Sequence, residues 1–224
     1  MNPRPALLSA RFAVVLLLQF ALLFWLVAFD RGRDLRMLLD ITGVIIPLFA
    51  IAVVTDRKRD RRIAFVIAAA AMLFSGSALS GLRPVGIDAG PLLAVVFSAY
   101  ATWKMLVGIV RTERVTDDVL AGALATYIMA GLAFAVLYGV ITNLRPDAFL
   151  TTSGSPASFP DLVYFSFVTL MTIGFGDVTA AGPFARAFVI TEGLFGIMFT
   201  TIVMASLVAA YLQQRDRDSR GPGS

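Results

Sequence analysis

Residues 169–177 read Thr169-Leu-Met-Thr-Ile-Gly-Phe-Gly-Asp177, and the interpretation of this stretch decides the fold. It offers almost no side chain capable of chemistry, yet its glycines at 174 and 176 alternate with Ile173 and Phe175, and long apolar runs lie on either side. Non-helical backbone at membrane depth is tolerated only where protein buries it or where it lines a water-filled cavity.

The membrane setting follows from composition. The chain has 224 residues, 58% of them hydrophobic, and a mean hydropathy of +0.82, well above that of water-soluble domains. It has no Cys and no His, which removes thiol redox chemistry, disulfide frameworks and the usual zinc and haem ligand sets. No cofactor and no enzymatic activity are expected. The formal charge of +4 does not point to nucleic acid, because the cations cluster at the ends of apolar runs and the densest group, Arg57-Lys58-Arg59-Asp60-Arg61-Arg62, is a short connector. A nucleic-acid surface is longer and interleaved with aromatic residues.

A helix needs about 20 apolar residues to cross about 30 Å of hydrocarbon. Six runs are read as spans, over 6–29, 37–54, 63–79, 91–110, 119–141 and 184–212. The first is too long for a secretory signal and lacks a small-x-small cleavage site. The five Lys and Arg of the second connector place it in the cytoplasm by the positive-inside rule. Alternation then puts both termini there, with Arg111 and Arg114 of the fourth connector, although Arg31, Arg33 and Arg36 of the first connector break the pattern.

The segment 142–183 is thereby outside. It starts as a loop, with Asn143, Pro146 and a Ser/Thr/Gly/Pro run over 151–158 as turn formers. Residues 159–172 are apolar but too few to span; Ser158 as N-cap, Pro160 in the first turn and Asp161 in a Ser-x-x-Asp arrangement predict a short helix. This helix enters the membrane and stops halfway. Beyond it, Gly174 and Gly176 relieve the steric bar on positive φ and let successive carbonyls point one way. Carbonyls aimed at one axis can replace the hydration shell of a cation, and the helix end adds partial negative charge where a cation is otherwise costly.

Thr172-Ile-Gly-Phe-Gly-Asp177 resembles the Thr-Val-Gly-Tyr-Gly-Asp signature of potassium channels, in the helix, pore loop, helix setting of that family. The resemblance covers 119–212 and implies a homotetramer, since one chain has one such loop. It implies K+ held by the hydroxyl and carbonyl of Thr172 and the carbonyls of Ile173, Gly174 and Phe175, with Gly176 shaping the outer mouth and Asp177 anchoring it. Thr169 is similar to the pore-helix threonine, Tyr164 and Phe165 stand where the family often has a tryptophan cuff, Gly196 falls at the inner-helix hinge and Arg186 matches a basic residue at that helix's start. Phe175 in place of Tyr, Val168 in place of Glu and Ala180 in place of Pro depart from the pattern.

On this resemblance the fold is all-α and membrane-embedded. Residues 1–117 form a four-helix, degenerate sensor-like domain. Residues 118–214 form a pore domain with outer helix 119–141, pore helix 159–172, filter 172–177 and inner helix 184–212. Residues 215–224 are a polar cytoplasmic tail too short for a ligand-binding domain, so gating falls to the filter or the bilayer, unless the natural chain continues. The expected protein is a multi-pass channel of a prokaryotic inner membrane, passing K+ and partnered by its own copies and lipid, with no regulatory partner indicated. A nonselective cation channel and a potassium transporter subunit are the alternatives.

Three charges sit inside predicted spans, Asp40, Lys104 and Glu192, and an intramembrane ionisable group is a functional hypothesis by default. Asp40 and Lys104 are read as a pair. Glu192 is read as a polar lock to the pore helix or a neighbouring subunit in preference to a role in conduction. Gly193 serves either as a second hinge or as a small residue for helix contact. The fourth span carries one cation, Lys104; four copies crossing the whole field supply at most about 9 kcal/mol per 100 mV, against the tens available to dedicated voltage sensors. Weak or absent voltage dependence is expected.

Overall fold

The computed structural model describes residues 11–28, 41–54, 58–79, 89–112 and 115–220. These form α1 (Arg11–Ala28), a π-helical turn (Ile41–Ile45) leading into α2 (Ile46–Val54), α3 (Lys58–Leu79), α4 (Ala89–Val110), α5 (Asp117–Leu144), β1 (Phe149–Thr151), α6 (Phe159–Leu170), β2 (Val178–Ala180), α7 (Pro183–Met198), a second π-helical turn (Phe199–Met204) and α8 (Ala205–Arg220).

Among the described residues, three helices are long and apolar enough to cross a membrane, Gly90–Val110, Asp117–Leu144 and Pro183–Asp216. The apolar parts of the first two expected spans are shorter, Phe12–Ala28 and Thr42–Ala52, and α3 opens on Lys58-Arg59-Asp60-Arg61-Arg62. Expected boundaries shift at caps. Thr116 accepts the Val119 N–H at 3.4 Å and starts α5 two residues early, with Asp117 and Asp118 in its first turn, where carboxylates favour the helix dipole. The last helix continues past 212 to Arg220, so the expected tail is helical as far as 220.

α6 forms as its sequence dictates. Ser158 and Asp161 make a reciprocal capping box, Ser158 N–H donating to Asp161 Oδ2 at 2.8 Å and Asp161 N–H to Ser158 Oγ at 3.4 Å. Its 12 residues extend about 18 Å at 1.5 Å per residue, well short of a bilayer. The helix stops at Leu170, two residues before the expected end.

The core sits around α5, which packs on α1, α4, α6 and α7. Of its apolar stretch 67% is buried inside the chain, against 17% for 183–216, so the last long helix leaves most of its surface uncovered. Ser98 of α4 donates to the Gly43 carbonyl of the first π turn at 3.0 Å. α6 lies so close to α5 that a Cβ on Gly131 meets the Phe167 ring at 2.8 Å.

Short strands β1 and β2 pair antiparallel with Phe149 opposite Ala180 and Thr151 opposite Val178. The sequence reading has only loop here. Three residues per strand are too few to show alternation, and the pairing is set by position, α6 and the 172–177 loop bringing the two ends together.

At the opposite end Asp118 Oδ1 accepts the N–H groups of Phe12 and Ala13 at 3.1 and 3.2 Å, capping α1 from α5. Losing an N-cap costs about 0.5–2 kcal/mol. Asp118→Ala is therefore expected to speed amide exchange at Phe12 and Ala13 about tenfold while leaving α6 unchanged; equal protection in both proteins contradicts the capping role.

Candidate functional site

The last four carbonyls of a helix have no partner within it, and in α6 each is accounted for. Phe167 O accepts from Met171 N–H at 2.9 Å, Thr169 O from Thr172 N–H at 2.9 Å, and Val168 O from the N–H groups of Ile173 and Gly174 at 2.9 and 3.4 Å. Leu170 O accepts from the Tyr127 hydroxyl of α5 at 2.9 Å. The backbone leaving α6 is thus folded onto its own helix end.

Positive φ occurs at Thr172 (59°), Gly174 (60°) and Gly176 (79°), with Ile173 and Phe175 between them on the negative side. In a regular strand successive carbonyls alternate in direction. Backbone that alternates the sign of φ is able to turn successive carbonyls to the same side. A Cβ on Gly174 or Gly176 meets nothing within 4 Å, so glycine is needed there for its backbone angle and not for room. Thr172 is the only non-glycine residue with positive φ among the described residues; such strain in a β-branched residue costs about 1–3 kcal/mol and clusters at functional sites. Residues 171–177 are all exposed in the single chain, Phe175 by 68%.

The outer end of this loop is tied down. Asp177 O accepts from Thr152 N–H at 2.9 Å, beside the β1–β2 pairing. The Tyr164 hydroxyl faces the Asp177 carboxylate, whose Oδ1 accepts the Val178 N–H at 3.1 Å. Arg186 Nε donates to Ala180 O at 3.0 Å and fixes β2 to the start of α7. Phe165 does not join Tyr164. It is buried against Tyr138 and Phe149, with ring centres 5.8 and 5.6 Å away, whereas Tyr164 is directed at Asp177. Adjacent residues on a helix point about 100° apart, and β1 supplies the aromatic partner that draws Phe165 back.

Behind α6, Glu192 of α7 is fully buried. Tyr138 donates to its Oε2 at 2.6 Å, and Ser166 of α6 lies against its Oε1 while also reaching Gly131 O at 2.7 Å. One carboxyl thereby joins α5, α6 and α7. Gly196 lies in the α-helical part of α7, where a Cβ comes 2.2 Å from the carbonyl oxygen of Leu170. Its first requirement is close approach to the end of α6, and the helix changes geometry three residues later, at Phe199. Gly193 has nothing within 4 Å of a Cβ. Lys104 is half-buried in α4, and Asp40 lies outside the described residues. Thr169 contributes its carbonyl to Thr172.

Tyr127, Tyr138 and Ser166 were not among the residues singled out from sequence. The two tyrosines are eleven residues apart on an apolar helix, about three turns at 3.6 residues each, so their hydroxyls share one face. That spacing is the signal for them. Without Glu192 the buried Tyr138 hydroxyl loses its acceptor, at a cost of about 1–3 kcal/mol, while Ser166 keeps the Gly131 carbonyl. Glu192→Ala is expected to lower the midpoint of thermal unfolding well below that of Glu192→Gln, which keeps an acceptor; equal midpoints contradict the lock.

Comparison with known proteins agrees with the geometry. A family model described as an ion channel matches residues 122–213. Over 90 residues the chain is 33% identical to "Two pore potassium channel c" of Oryza sativa subsp. japonica, covering 40% of this chain and 19% of that one. It is 30% identical over 130 residues to "Protein LctB" of Bacillus caldotenax, covering 55% of this chain and 92% of that protein. It is 37% identical over 87 residues to "Inward rectifier potassium channel Kirbac3.1" of Paramagnetospirillum magnetotacticum, covering 39% of this chain and 26% of that one. No solved structure shows a significant match. The matched region holds α6, the 172–177 loop and the helices flanking them, and on these grounds the chain is a membrane protein of the potassium channel family.

Proposed function

We propose that four copies of this chain close around the 172–177 loops to form a potassium-selective channel that conducts passively. The observation that carries the reading is the alternation of left-handed backbone at Thr172, Gly174 and Gly176. Four such backbones facing one axis present rings of carbonyls from Thr172, Ile173, Gly174 and Phe175, with the Thr172 hydroxyl at the inner end. These rings replace the water shell of K+, so no cofactor and no covalent step is needed. The exposed 183–216 helix and the exposed loop fit a surface that neighbouring subunits cover, and the names of the rice and Paramagnetospirillum relatives support K+ as the permeant ion.

The rest of the assembly follows the sequence reading. Six membrane passes leave both termini in the cytoplasm of a prokaryotic cell, α4 offers Lys104 alone to the membrane field, and conduction is weakly voltage-dependent or independent. Conductance measured between −100 and +100 mV is expected to change with a slope far shallower than that of arginine-rich channels. Steep activation contradicts this part.

Proteoliposomes are expected to take up radioactive rubidium along a K+ gradient, and barium is expected to block the uptake. Gly174→Ala places a Cβ at φ 60°, a conformation that costs an L-residue about 1–2 kcal/mol in each subunit. This variant is expected to assemble and to lose barium-sensitive uptake. Uptake that persists unchanged contradicts a backbone-carbonyl filter.

A further inference from the structure

Three of the four terminal carbonyls of α6 are bonded by amides of the loop that follows, and Leu170 O alone is bonded from another helix, by Tyr127. The same oxygen faces Gly196, so closely that a Cβ there stands 2.2 Å from it. The Tyr127 ring in turn packs on Phe199, with centres 5.4 Å apart. Phe199 is buried and begins the π-helical turn Phe199–Met204. Within that turn Thr200 and Thr201 donate to Gly196 O and Ile197 O at 3.0 and 2.6 Å, and side chains that bond back to helix carbonyls loosen and bend a helix. π-helical turns inside longer helices concentrate at functional sites.

A single side chain therefore touches both the end of α6, two residues before Thr172, and the point where the last helix leaves α geometry. Resting on the channel reading above, we propose that Tyr127 is a positioning residue that couples the π turn of the inner helix to the inner end of the filter. Its ring follows Phe199 and its hydroxyl holds Leu170. The bend of the inner helix then lies at 199–204, while Gly196 keeps the helix seated against Leu170. Movement below the turn reaches Thr172 through one ring and one hydrogen bond.

The test uses single-channel recording in planar bilayers at low and high K+. Tyr127→Phe keeps the ring on Phe199 and removes the donor; Phe199→Leu keeps the donor and removes the ring contact. Tyr127→Phe is expected to shorten open bursts about tenfold at low K+, the factor that follows from about 1.4 kcal/mol for one lost hydrogen bond. High K+ is expected to restore the bursts, because ion binding favours the intact filter by mass action; a merely misfolded variant is not rescued in this way. Phe199→Leu is expected to shift the open fraction, and the double variant to show effects that do not add, as interacting residues do. Burst lengths equal to the parent at low K+, or strictly additive effects, overturn the proposal. Should Tyr127→Phe fail to assemble, an unchanged open fraction in Phe199→Leu overturns it. A parent channel that passes Na+ as readily as K+ contradicts the selectivity reading instead, and the burst comparison still decides the coupling.

Discussion

Backbone that turns its carbonyls toward a shared axis gives up the hydrogen bonds that a helix or sheet provides, and in a membrane it finds no water to replace them. The 172–177 loop meets this constraint by folding its amides back onto the end of α6, so that Met171, Thr172, Ile173 and Gly174 all donate to carbonyls of Phe167 to Thr169. On the channel reading, the carbonyls of Thr172 to Phe175 are the ones that face a cation. Strain at Thr172 is held by what surrounds it, namely the helix end below and the Asp177 anchorage above.

Much of the remaining structure serves to hold α6 in place. The capping box at Ser158 fixes where α6 begins, Glu192 joins its middle to α5 and α7 through Ser166 and Tyr138, and Tyr127 with Gly196 fixes its end. The β1–β2 pairing and the Arg186 bond hold the outer side. A buried carboxyl is costly unless its oxygens are satisfied, and Glu192 has a hydroxyl on each. Contacts of this kind make a lock between helices that apolar packing alone, which slides easily, does not supply.

The hexapeptide 172–177, the short helix before it and the long apolar helices on either side were legible from sequence, because each rests on local rules: glycine for positive φ, Ser-x-x-Asp for a helix start, length for a span. What was not legible depends on tertiary position. β1 and β2 exist only because α6 and the loop bring 149–151 beside 178–180. Phe165 reads as a cuff residue by its place in the motif, yet it turns away because Phe149 and Tyr138 wait behind it. Gly196 reads as a hinge by its spacing from Gly174, and its neighbour across the helix contact gives it another purpose. The departure from α geometry falls at Phe199–Met204, where two adjacent hydroxyl residues, Thr200 and Thr201, were the available clue.

The central claim is that Thr172 to Phe175 present carbonyl rings selective for K+. Its most direct measurement is the reversal potential of the purified protein in planar bilayers with K+ on one side and Na+ on the other. A reversal potential close to the K+ equilibrium value is the predicted result. A value near zero, from a channel that barium still blocks, means that the loop does not hold its carbonyls as a selective filter and contradicts the account.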